Sequence, residues 1–157
     1  MSAGKIALLA VMLSISVAGM AADDPLIGTW KLNVAKSKFV PGPGYKAQTL
    51  KYEAAPNGGL KLTADIVGAD GKETHDGYTA IYDGKEYPMT VPSSNADTVR
   101  LERIDAYTTV RTNTKAGKPT MIQKRTVSKD GKTMTVTTTG VDGQGRQLHN
   151  TQVYDRQ

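Results

Sequence analysis

Cysteine is absent from all 157 residues, and aromatic side chains other than tyrosine are nearly so, with one Trp and one Phe. The first absence excludes a disulfide framework, a thiolate metal site and a lipid-modified cysteine. Small secreted eukaryotic domains usually carry disulfides, so an exported chain without cysteine points to a bacterial periplasm or exterior. Helical periodicity is missing between Ala22 and Gln157. Runs of Lys or Arg are missing too, and the formal charge of +5 is too dispersed to act as an electrostatic footprint for nucleic acid. The histidines, His75 and His149, lie in separate segments with no partner at metal-ligand spacing, so the reading contains neither a metal site nor a cofactor. Ser37, Ser93, Ser94 and Ser128 lie in turn-like surroundings rather than in G-x-S-x-G. No two carboxylates stand at a defined spacing. With every catalytic pattern missing, the reading is of a protein that is not an enzyme.

What is present begins with MSAGKIALLAVMLSISVAGMAAD, in which Lys5 precedes an apolar run from Ile6 to Met20 and small residues follow. That pattern predicts a secretory signal peptide over residues 1–22, with cleavage after Ala21 or Ala22. An uncleaved anchor is the competing reading, but the run is shorter than the roughly 18 to 20 apolar residues of a membrane span. Removal leaves one domain over residues 23–157, with no stable membrane span and, by losing Lys5, a charge of +4. A chain of that size suits one hydrophobic core and is read as a monomer. Its location is read as periplasmic or secreted.

The remaining sequence is punctuated by Gly, Asn, Asp and Pro clusters, among them PGPG, PNGG, GADG, KDGK and VDGQG. Asp-Gly pairs favour tight hairpins. Between the clusters, Thr-, Val- and Tyr-rich segments predict strands near 26–33, 45–55, 60–67, 72–82, 85–90, 97–104, 107–114, 120–128, 132–139 and 147–155. The fold class is therefore all-β. Eight to ten consecutive hairpin-linked strands are most readily freed of exposed edges by closing into an antiparallel up-and-down barrel.

The single Trp30 stands two positions after Gly28 in GTWKL, at the head of the first strand. This beginning, with Ser37 and Phe39 after it, resembles the calycins, the lipocalin and fatty-acid-binding-protein superfamily, where a G-x-W motif plugs one end of the barrel. The competing reading is a core Trp in a β-sandwich. IQKRTVSKDGKTMTV (122–136) and NTQVYDR (150–156) resemble the last strands of fatty-acid-binding proteins, with their K-R motif and terminal T-R-x-Y. The chain also resembles small exported bacterial lipocalin-like proteins, which implies a fold and a compartment without an activity. In fatty-acid-binding proteins the two arginines and the tyrosine hold a ligand carboxylate. Transferred onto matching positions, these are Arg125 and Tyr154, while the second arginine is Gln152 here. The helical lid of that family is excluded by PGPG after Val40.

Alternation offers an independent reading of the same residues, because positions two apart share a face of a strand. Met121, Gln123, Arg125 and Val127 fall on one side, and Leu148, Asn150, Gln152 and Tyr154 on one side of the last strand. Val99, Leu101 and Arg103 likewise share a face, making Arg103 a second interior cation. Arg125 then either meets a ligand, pairs with a carboxylate such as Glu53 or Glu102, or turns outward through a one-residue slip. The function expected is non-catalytic binding of a small amphipathic, anionic molecule by Arg125, Gln152, Tyr154 and Arg103. The alternative is a barrel filled by its own side chains that acts through its outer surface as an envelope accessory or interaction module.

Overall fold

A computed structural model describes residues 24–157. Within them lie β1 (Gly28–Leu32), β2 (Ala47–Ala55), β3 (Gly59–Val67), β4 (Glu73–Ala80) and β5 (Glu86–Ser93), followed by β6 (Ala96–Arg103), β7 (Thr108–Lys115), β8 (Lys118–Val127), β9 (Thr133–Val141) and β10 (Gln147–Arg156). Every strand is antiparallel to its neighbour in the chain, and β1 pairs with both β2 and β10, so the sheet closes on itself. The all-β up-and-down barrel expected from turn spacing is the observed fold, with ten strands. Closure removes the exposed edges that a meander of this length would present. The signal-peptide reading of residues 1–22 lies outside the described residues. Among those described, no helix is long and apolar enough to cross a membrane.

Hairpin chemistry places the strands. In the β8–β9 turn, Asp130 accepts hydrogen bonds from the Ser128 hydroxyl at 2.6 Å and the Lys132 amide at 3.0 Å. Gly131 follows at a φ of 70°, a conformation that glycine adopts without steric penalty. Inward positions on either side carry the core: Val127 and Met134 face each other across this hairpin, and both are buried.

One end of the barrel is sealed by Trp30, which is fully buried and donates its indole N–H to the Leu26 carbonyl at 2.8 Å. The Arg156 guanidinium lies 4.2 Å from the centre of the indole ring, within the range of a cation–π contact. It also donates to the Ile27 carbonyl at 2.7 Å and to the carbonyls of Pro25 and Gly131. Gly28 makes room for this: it has a φ of 136°, and a β-carbon there would collide with Arg156. The plug is thus Gly28, Trp30 and Arg156 together.

At the other end, the link between β1 and β2 forms a strap rather than a helical lid. A single 3-10 turn, Val34–Lys36, interrupts it. Lys38 then bridges to Thr151 of β10, and the Val40 carbonyl accepts from the His149 amide at 2.8 Å. Beyond Val40 the PGPG segment carries the chain over the mouth, where the Phe39 and Tyr45 rings meet edge to face with centres 5.5 Å apart.

Candidate ligand-binding site

Beneath the strap lies a cavity of about 490 Å³, within the range usual for small-molecule sites. Its mouth is mixed: Phe39, Pro41, Pro43, Met121 and Leu148 stand beside Asp142, Arg146 and Asn150. Its deeper wall is polar: Gln48, Asn113, Gln123, Thr138 and Gln152 all line it. Strand pairing brings these together, since Gln123 of β8 lies opposite both Arg111 of β7 and Thr138 of β9.

Arg125 points inward, opposite Val136, and is 2% exposed. It lies below Gln123 rather than in the cavity wall, and its Nη2 donates to the Gln123 side-chain oxygen at 3.1 Å. Its Nη1 is buried without a hydrogen-bond partner among the described residues. The carboxylates considered as partners from the sequence are elsewhere: Glu53 pairs with Lys51 at 3.0 Å and Glu102 with Arg100 at 3.1 Å, all partly exposed. The Tyr52 ring lies below the guanidinium, with 5.8 Å between Arg125 Cζ and the ring centre. Burial pushes the Tyr52 phenol up to about 12, against the opposing pull of Arg125, so this neighbour is neutral at physiological pH.

Tyr154 and Gln152 are buried beside each other on β10. The Tyr154 hydroxyl donates to the Gln48 side-chain oxygen at 2.7 Å and accepts from the Gln152 amide at 2.8 Å. The Thr138 hydroxyl closes the chain by donating to the Gln152 oxygen at 3.3 Å. Burial raises the Tyr154 phenol well above its ordinary range, which keeps it a neutral donor. Of these two, only Gln152 reaches the cavity wall.

Arg103 is not brought to this site. It has the parity of Val99 and Leu101, but it ends β6 at the plugged rim, where it pairs with Asp24 and lies 4.2 Å from the centre of the Tyr82 ring. The second interior cation is instead Arg111, 3% exposed, which sequence reasoning missed. It holds the Asp76 carboxylate at 3.0 Å and donates through Nε to the Asn113 side-chain oxygen at 2.6 Å. Its guanidinium also lies 4.8 Å from the centre of the Tyr78 ring. Asp76 itself lines the cavity. No group of three or more potential metal ligands occurs among the described residues.

No family model matches the chain, and no curated protein matches it. Solved structures do. A fatty-acid-binding protein from Schistosoma mansoni in complex with arachidonic acid superposes with a TM-score of 0.58 at 15% identity, over 85% of this chain and 96% of that one. The wild-type fluorescent protein UnaG gives a TM-score of 0.53 at 16% identity, over 84% of this chain and 97% of that one. The likeness establishes the fold alone, a closed ten-stranded antiparallel barrel like that of the fatty-acid-binding protein.

Proposed function

We propose that the barrel binds a small amphipathic anion in its interior, without catalysis, and that it does so as a monomer outside the cytoplasm of a bacterial cell. The observation that carries this reading is the interior charge. Two buried guanidiniums, Arg111 and Arg125, face one carboxylate, Asp76, and that carboxylate is held by Arg111. Arg125, just below the cavity wall, is left with a buried N–H that has no acceptor among the described residues, and a buried charge is tolerated best when it is paired. In this role Arg125 is the charge partner, acting from just below the cavity wall, and Gln152 and Tyr154 are its hydrogen-bonded neighbours, which fix the Gln48 amide on that wall. The similar barrel from Schistosoma mansoni contains arachidonic acid, an amphipathic carboxylic acid, which supports the class of ligand. The compartment rests on the signal-like segment at residues 1–22 and on the resemblance of GTWKLN to exported lipocalin-like proteins.

A second reading is favoured by the plugged end, where Tyr82, Arg103 and Tyr107 line an open groove of about 950 Å³ and Ile104 beside it is 60% exposed. A surface of that kind suits an interaction module. Titration with the amphipathic anion anilinonaphthalene sulfonate separates the two. Interior binding predicts that Arg125→Leu weakens the complex roughly tenfold or more, as losing about 1.4 kcal/mol would. Lys124→Leu, the same charge change on the outer face, leaves it unchanged. Equal affinity in both variants places the probe on the outside and removes the interior reading.

A further inference from the structure

Three carboxamides in the cavity wall share one arrangement: each has its oxygen committed to the protein. The Gln123 oxygen accepts from Arg125, the Asn113 oxygen from Arg111, and the Gln48 oxygen from Tyr154 and Gln152. An amide whose oxygen is fixed turns its NH2 group the other way. None of these three NH2 groups finds an acceptor among the described residues, and all three side chains line the cavity. The two arginines therefore act through their neighbours, converting buried positive charge into oriented neutral donors on the cavity wall. Such a wall asks for acceptor oxygens at several positions.

The space beneath it is closed to an alkyl chain. Tyr52, Tyr78, Tyr154, Met89 and Met134 fill the barrel below the amides, and all are buried. A long acyl tail would have to lie along the amides themselves, leaving their N–H groups unpaired and away from water. The apolar part of the mouth, Phe39, Met121 and Leu148, is bounded by Asp142, Arg146 and Asn150 and accommodates a short hydrocarbon or ring portion only.

Resting on the interior-binding reading, we infer that the ligand is a compact, oxygen-rich organic acid, with a carboxylate and further hydroxyl or carbonyl oxygens, and not a long-chain lipid. Its acid group faces Gln123, behind which the Arg125 guanidinium lies. Its remaining oxygens accept from Asn113 and Gln48, and its least polar part faces the strap.

Calorimetric titration of the purified protein with citrate, glucuronate, gallate and oleate tests this. At least one of the three oxygen-rich acids is expected to bind tenfold or more tightly than oleate. Gln48→Glu, which keeps the oxygen that Tyr154 uses but replaces the NH2 donor by an acceptor, is expected to weaken that acid at least tenfold. Gln123→Met is expected to do the same, with the thermal transition of each variant confirming that it is folded. Oleate binding as tightly as the acids, with sensitivity to Arg125→Leu, overturns the ligand class and leaves the interior-binding reading standing. An acid whose affinity ignores both glutamine substitutions overturns the donor arrangement. Binding of none of the four overturns this inference, and an absence of anilinonaphthalene sulfonate binding as well removes the interior reading with it.

Discussion

Trp30→Ala is expected to destabilise the barrel by about 3–5 kcal/mol, the usual cost of emptying a fully buried aromatic site. For a domain of this size that corresponds to a fall in melting temperature on the order of 10–20 °C. The cost has two sources. The indole occupies the sealed end with no exposure, so its removal leaves a cavity among Leu26, Leu32 and Leu50. It also deprives the Arg156 guanidinium of the ring on which it lies, and the Leu26 carbonyl of its indole donor. Thermal unfolding followed by circular dichroism measures the outcome. A loss below about 1 kcal/mol would mean that the end closes without the indole, and the plug would have to be assigned to Arg156 and its backbone partners.

The two interior arginines are expected to respond in opposite directions. Arg111→Leu strands Asp76, whose side chain is 21% exposed, beside Tyr78 and Met89. Breaking a buried ion pair from one side costs about 3–5 kcal/mol, and the partial exposure of Asp76 to the cavity moves the expectation to the lower end, about 3 kcal/mol. Arg125→Leu removes a charge that has no carboxylate partner among the described residues, so its desolvation cost goes with it. The ligand-free protein is expected to be as stable as before, or more stable, while its ligand affinity falls. Denaturant midpoints of both variants, measured without added ligand, check this. A large loss in Arg125→Leu would mark it as a structural residue, held by Gln123 and Tyr52 for stability alone.

The fold was legible because its signals are local. Asp-Gly turns and strand-length segments of Thr, Val and Tyr recur along the chain, and all ten expected strands are present with ends shifted by a few residues. The inward face of β8 was equally readable, since Met121 and Val127 bracket Gln123 and Arg125 with the right parity. Strand β7 shows where the method stops. Its single aliphatic residue, Val110, is on the outward face, while the inward face is Thr109, Arg111 and Asn113, all buried. A hydrophobic-inside rule applied to TTVRTNTK would therefore choose the wrong side. The interior there is polar, and sequence patterning assumes an apolar core.

Arg103 failed for a different reason. Its parity was right, but β6 ends there, so the side chain emerges at the plugged rim and meets Asp24. Parity gives the face of a strand and not the depth along the barrel. Depth comes from register, which is set by nine strand-to-strand links in succession and by the closure of β1 on β10. The same limit hid the link between Arg111 and Asp76, residues 35 apart in sequence on strands that are not neighbours in the barrel.

Native mass spectrometry of the protein purified from its own compartment, with extraction and identification of whatever accompanies it, tests the central claim most directly. A small organic acid at one molecule per barrel, retained by the wild type and lost in Arg125→Leu, is the result predicted. A wild-type protein that carries nothing and takes up no anion on addition would contradict it. The barrel would then act through its outer surface.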